Sequence, residues 1–157
     1  EAAQVHAVRP SILFTFSGLA QTDSELMRVM AEATAAGKDK GAAIKESGFR
    51  PDLKKRGSLR ATFDGRHKFA RYFSPLERNR PTTADALYRH NDVELFDLER
   101  DLAEMTNLAA ERSANEPLVM AMNAKLEAAI EREIGKDDGR EMPQVEGISW
   151  AMDRVDL

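Results

Sequence analysis

Few side chains in this sequence are spaced for chemistry. Asp97 and Asp101 stand one helical turn apart, Glu104 follows them, and Asp137-Asp138-Gly139 adds a second carboxylate pair. An oxygen-ligated Ca²⁺ or Mg²⁺ needs several carboxylates converging with carbonyl groups, and neither group has the spacing of a calcium-binding loop. His6, His67 and His90 are scattered, so no two of them share a helix face as a zinc site would require. Ser, His and Asp all occur, yet nothing marks a nucleophile on a strand-to-helix elbow. With no cysteine there is no thiolate ligand, thiol nucleophile or disulfide frame. The sequence therefore assigns no catalytic residue and no metal ligand. Asp101 and Glu104, just past a strand, read as caps of backbone N–H groups. Arg60 and Lys68 read as partners of that acidic turn or as solvated cations, and His67 beside Phe69 as a hydrogen-bonded strand histidine.

The elements that must hold these residues follow from periodicity. Ser11 to Phe16 alternates Ile12, Phe14 and Phe16 with Leu13 and Thr15, the pattern of a strand. Thr22-Asp23-Ser24-Glu25 is a capping-box pattern with Thr22 as cap. Leu26, Val29, Met30 and Ala33 then recur at helical spacing up to Gly37, which predicts a helix over about residues 23 to 36. Gly37 to Gly57 is basic and punctuated by glycine, an exposed connection with a short helical turn at Ala42 to Glu46. Ser58 to Pro75 is a hairpin, Ser74 to Asn91 a long polar loop, and Val93 to Phe96 the fourth strand. The last helix starts at Asn115 or Glu116 with Pro117 in its first turn, where a missing N–H costs nothing. Its stripe is Leu118, Met122, Leu126, Ala129, Ile130 and Ile134, and Gly135 ends it. The expected fold is α+β: a four-stranded antiparallel sheet covered by helices, including a long C-terminal helix. Residues 1–135 form this unit, and 136–157 form an acidic tail with Trp150 as an aromatic anchor.

The register of the hairpin is argued from charge. A two-residue Asp64-Gly65 turn would place Lys68 and Arg66 on the face of Leu59, Ala61 and Phe63. A three-residue loop, Phe63 to Gly65, gathers Leu59, Ala61, Phe69 and Phe73 on one face and Arg60, Thr62, Arg66 and Lys68 on the other. Because a one-residue slip inverts every side chain, the segregated register is the expected one, with His67 and Arg71 as misfits on the apolar face.

Composition narrows the class. At 157 residues the chain is long enough to bury a core, and 42% hydrophobic with 32% charged residues is ordinary for a globular domain. A net charge of −4 argues against a nucleic-acid binder, and no apolar run approaches the ~20 residues of a membrane span. The lack of cysteine fits a reducing compartment, but many secreted bacterial domains also lack it, so both a cytoplasmic and a periplasmic location stay open. The chain opens Glu1-Ala2-Ala3 with no initiator Met, so the absence of a signal peptide is uninformative if it is a piece of something longer.

Read in order, Arg60, Gly65 and Lys68 on the hairpin, Glu94-Leu95-Phe96-Asp97-Leu98, then Asp101, Glu104 and Asn107-Leu108-Ala109 form a pattern. It resembles the C-terminal subdomain of a sulfatase, in the alkaline-phosphatase-like hydrolase superfamily, over about residues 11 to 134. Leu102 stands where that family usually has proline, a departure that touches turn stiffness. The resemblance implies a sulfuric ester hydrolase as parent, with a formylglycine made from Cys/Ser-x-Pro-x-Arg and a divalent cation, calcium, held by Asp and Asn. None of that centre is here. The nearest serine match, Ser74-Pro75-Leu76-Glu77-Arg78, has its proline one place too early. The expected role is to complete the parent's fold and wall its substrate cleft, with Arg78 and Asn79 as rim residues. The expected partners are the parent's catalytic domain and, through an oligomer contact, a second copy. A phosphodiester or phosphonate hydrolase stays open as parent, as does a free-standing interaction module. The basic stretch from Lys38 to Arg80 reads either as a solvated connection or as a positive rim drawing an anionic ester.

Overall fold

The computed structural model describes residues 9–18, 23–50, 52–137 and the backbone of 155–156. Its main sheet contains β1 (Ile12–Ser17), β2 (Ser58–Phe63), β3 (His67–Phe73) and β5 (Asp92–Asp97), in the order β1-β2-β3-β5 and antiparallel throughout. Helices α1 (Ser24–Ala35) and α2 (Lys40–Ser47) fill the crossover from β1 to β2. Two-residue β4 (Asn79–Arg80) and helix α3 (Ala84–His90) lie between β3 and β5. Helix α4 (Arg112–Glu133) closes the unit, and β6 (Val155–Asp156) pairs parallel with β4. The α+β class, the four-stranded antiparallel sheet and the long last helix are as the sequence predicts. Among the described residues, no helix is long and apolar enough to cross a membrane.

Local starts and stops have identifiable causes. The cap of α1 is Asp23, whose carboxylate accepts Glu25 N–H at 3.0 Å and Leu26 N–H at 3.3 Å. Thr22, expected in that role, lies outside the described residues. The turn expected at Ala42 to Glu46 is a full short helix, capped by Asp39 at its start and by left-handed Gly48 at its end. Thr83 caps α3, which the sequence reading took for loop; Leu87 from this helix is fully buried. Helix α4 begins at Arg112, so Pro117 lies in its second turn. The carbonyl deprived of its donor belongs to exposed Ser113, where water can satisfy it.

The core lies between α4 and one sheet face: Phe69, Leu87, Leu95, Ala109, Val119, Met122, Leu126 and Ile130. Met122, Leu126, Ala129 and Ile130 of the expected stripe are buried. Leu118 is half-buried and Ile134 is at the surface, while Val119, Asn123 and Glu127 turn inward. The stripe is rotated because two of its inward positions are polar.

The hairpin register differs from the expected one. Ser58 faces Phe73, Arg60 faces Arg71, Thr62 faces Phe69, and Phe63 faces Lys68. The tip is built by Asp64, whose Oδ1 accepts the N–H groups of Arg66 and His67 at 3.1 and 2.8 Å, with Gly65 at φ 98°. Opposed residues share a face, so Arg60, Arg71, Phe69 and Phe73 point toward α4. Leu59, Ala61, Phe63 and Lys68 point away. Charge segregation does not decide the register here, because the arginines have partners in the interior.

Leu126→Ala removes a fully buried side chain from the core and should cost about 2–5 kcal/mol by denaturant titration. Lys125, half-exposed and paired with Asp64, should cost about 1 kcal/mol or less when changed to alanine. Equal losses would mean that α4 does not pack by this face.

Candidate functional site, an open sheet face backed by buried arginines

Three arginines occupy the covered face. The guanidinium carbons of Arg60, Arg71 and Arg78 stand 5.6, 6.0 and 5.7 Å from the ring centroid of Phe73, within cation–π range. Arg60 meets Asp137 through two bonds, Nε to Oδ2 at 3.1 Å and Nη2 to Oδ1 at 2.8 Å. Arg78 Nη1 donates to the same Asp137 oxygen. Arg71 Nη2 donates to Glu127 Oε1 at 2.6 Å and to the Asn79 carbonyl at 3.1 Å. All five charged residues are buried. Asp137, which the sequence assigns to the tail, is thus part of the interior, and Glu127 brings α4 onto β3.

Burial alone would push the Asp137 carboxyl up. The hydrogen bonds and charge of Arg60, then the charge of Arg78, outweigh it and hold the group below its ordinary value. Burial pushes Arg71 down to about 9, so it still carries its charge at neutral pH. Arg78 and Asn79, expected on a cleft rim, both lie inside. Arg78 is bound to Asp137, and Asn79 joins Glu77 and Asn91.

The acidic turn after β5 does what capping residues do. Asp101 accepts Thr106 N–H at 2.7 Å, and Glu104, at φ 56°, pairs with Lys68. Lys68 therefore meets the turn as expected, whereas Arg60 does not. Asp97 binds Arg66, whose guanidinium holds the carboxyl down to about 2. His67 lies between Asp64 and Asp97 at 3.8 and 4.0 Å, and His90 is 3.7 Å from Glu77. Asn107 accepts Leu95 N–H and donates to the Val93 carbonyl, each at 3.0 Å, acting as a short piece of strand along the edge of β5. Among the described residues, no group of three His, Cys, Asp or Glu is placed to hold a metal ion.

The other face of the sheet is apolar and, among the described residues, open along β1, while Ala70 of β3 and Phe96 of β5 on the same face are buried. Ile12, Phe14 and Phe16 of β1 are 58%, 55% and 46% exposed. By register they share this face with Leu59, Ala61 and Phe63 of β2 and with Ala70 and Tyr72 of β3. The opposed pair Ala61 and Ala70 forms a shallow groove, walled by Phe14, Phe63, Tyr72 and Glu94. Polar groups here are committed: Lys68 to Glu104, and Tyr72 to Glu94 at 3.0 Å. Such a surface can bury another apolar surface. It offers no converging acid, base or nucleophile. The sequence signal for it was present in Ile12, Phe14 and Phe16, but the inverted hairpin register hid its extent.

Folded Asp64, Asp97 and Asp137 all hold their protons less tightly than ordinary aspartate. The stability they contribute is complete above about pH 4 and is lost as pH falls through the folded values. Thermal midpoints should therefore drop below about pH 4. Asp137→Asn should cost about 3–5 kcal/mol at neutral pH, because two buried guanidiniums lose a charged acceptor, and should flatten the acid limb. An unchanged acid limb in this variant would contradict the assignment.

Comparison of the chain with protein-family models, with curated proteins and with solved structures found no match.

Proposed function

We propose that this chain is the C-terminal, non-catalytic subdomain of a sulfatase-like hydrolase. It completes that enzyme's fold and helps wall its substrate cleft. The observation that carries the reading is the exposed apolar face of β1, Ile12, Phe14 and Phe16, continued across β2 by Leu59, Ala61 and Phe63. Monomeric proteins rarely leave a contiguous apolar patch of more than a few hundred Å² in water, and larger ones mark surfaces that meet another surface. A catalytic domain of the same polypeptide would cover it. Lys68 and Glu104 of the motif tie the hairpin to the acidic turn, and Asn107 fastens that turn to β5.

The chemistry of the parent, on this reading, is hydrolysis of a sulfate ester by formylglycine beside a divalent cation. The residues of this chain do not fit that centre, since they offer neither Cys/Ser-x-Pro-x-Arg nor a described cluster of metal-ligating side chains. No step of hydrolysis is assigned to them. Of the basic stretch, Lys55 pairs with Asp23 and Arg56 with Asp92, which favours a structural connection over an ester-attracting rim.

The coding sequence upstream of Glu1 provides the test. A Cys/Ser-x-Pro-x-Arg motif within a preceding hydrolase-sized segment is the expected result. An initiator codon close to Glu1 would overturn the reading in favour of a free-standing interaction module. A preceding hydrolase segment lacking the motif would point to a phosphodiester or phosphonate hydrolase. Residues 1–157 purified alone should hydrolyse no aryl sulfate, with or without added calcium, because no activated nucleophile is present. Turnover proportional to chain concentration and surviving repurification would refute this.

A further inference from the structure

The two edges of the main sheet are finished differently. The bond from Gly18 N–H to Gly57 carbonyl at 2.6 Å, in register with the β1–β2 ladder, fixes which main-chain groups of β1 face inward. Direction alternates along a strand, so Ile12, Phe14 and Phe16 bond to β2, while Leu13, Thr15 and Ser17 present N–H and C=O outward. On β5 three of the corresponding outward groups are satisfied: the Val93 carbonyl, the Leu95 N–H and the Asp97 carbonyl. Asn107 takes Val93 and Leu95, and the Asp97 carbonyl accepts the N–H groups of Arg100 and Asp101. On β1, among the described residues, nothing hydrogen-bonds to those of Leu13, Thr15 or Ser17.

Natural edge strands are blunted by charge, proline or a bulge. Strand β1, Ile-Leu-Phe-Thr-Phe-Ser, has no charged residue or proline, and its pairing with β2 runs without a bulge. It is also self-complementary. With a two-fold axis at Thr15, Thr15 opposes Thr15 of the other copy and Leu13 opposes Ser17, so every outward N–H meets an outward carbonyl. Phe14 then opposes Phe16 in the close, non-hydrogen-bonded positions, Cα atoms about 4.5 Å apart, where aromatic pairs stabilise a ladder.

We propose that β1 pairs antiparallel, about Thr15, with β1 of a second copy of this chain, joining two four-stranded sheets into one. The uncharged edge and the palindromic placement of the two phenylalanines favour this occupant over a foreign strand. One strand edge buries less than the ~800 Å² per partner of a standard interface, so the contact is a weak one that strengthens with concentration. The pairing leaves the open face free, and it stands or falls independently of the sulfatase reading.

Because the chain has no cysteine, single cysteines report the geometry directly. Across the two-fold axis, Thr15→Cys places its partner Cα about 5.5 Å away, within disulfide reach. Phe14→Cys faces its own copy diagonally, at about 7–8 Å, beyond that reach. Under mild glutathione oxidation, Thr15→Cys should form covalent dimers several-fold faster than Phe14→Cys or Leu76→Cys, the latter exposed in the turn after β3. Thr15→Lys, which sets like charges on the axis, should abolish the rise of sedimentation mass with concentration while keeping the wild-type circular dichroism. Faster linking at Phe14, Thr15→Cys no faster than Leu76→Cys, or a wild type monomeric at high concentration would each overturn the proposal.

Discussion

Asp137 accepts from two buried guanidiniums at once, Arg60 on β2 and Arg78 after β3, and the rest of the unit is arranged around that arrangement. Taking charges out of water is expensive, and attraction repays it only where geometry is good and the remaining donors are met. Here one carboxylate bridges two arginines, Glu127 engages the third through Nη2 alone, leaving Arg71 Nε and Nη1 without a hydrogen bond among the described residues, and the Phe73 ring lies beside all three. The ion pairs also connect elements distant in sequence: the segment after α4 to β2, and α4 itself to β3. Helix and sheet are thus fastened by charge as well as by the apolar cluster around Leu126 and Phe69.

Committing Arg60 and Arg71 to the covered face forces the alternate residues outward. In a sheet with period-two side chains, that choice sends Leu59, Ala61, Phe63, Ala70 and Tyr72 to the side away from α4. The covered face thus holds arginines beside Phe69 and Phe73, and the other face carries Phe14, Phe16, Phe63 and Tyr72. Ionic interior and apolar exterior are one constraint viewed from its two sides. A second surface against the open face would relieve the cost of leaving it in water.

Much of this was legible in the residues. Helical spacing from Leu26 to Ala33 gave α1, the alternation at Ile12 to Phe16 gave β1, and Met122, Leu126 and Ile130 gave the inward side of α4. The hairpin faces were not legible, because arginine is ordinarily a surface residue. Its buried partners, Glu127 and Asp137, lie 56 and 77 positions away. Local sequence carries no sign of that pairing. Helix α3 escaped notice because seven residues between prolines and polar side chains show little periodicity. Asp137 was hidden for the same reason as the arginines: an acidic residue in an acidic tail looks solvated until its cations are found. For the site, the exposed aromatics of β1 were visible, but their union with β2 and β3 required the register.

The central claim is the face assignment, and neighbouring residues of β2 report it. Ala61 opens onto the uncovered face, whereas Thr62 is buried at 2% exposure beneath α4. In the cysteine-free chain, Ala61→Cys and Thr62→Cys can each be labelled with a maleimide under native conditions and again in denaturant. The account requires rapid native labelling at position 61 and protection at position 62 that vanishes on unfolding. The reverse order would mean that the arginines face water, and both the ionic interior and the apolar docking face would be wrong.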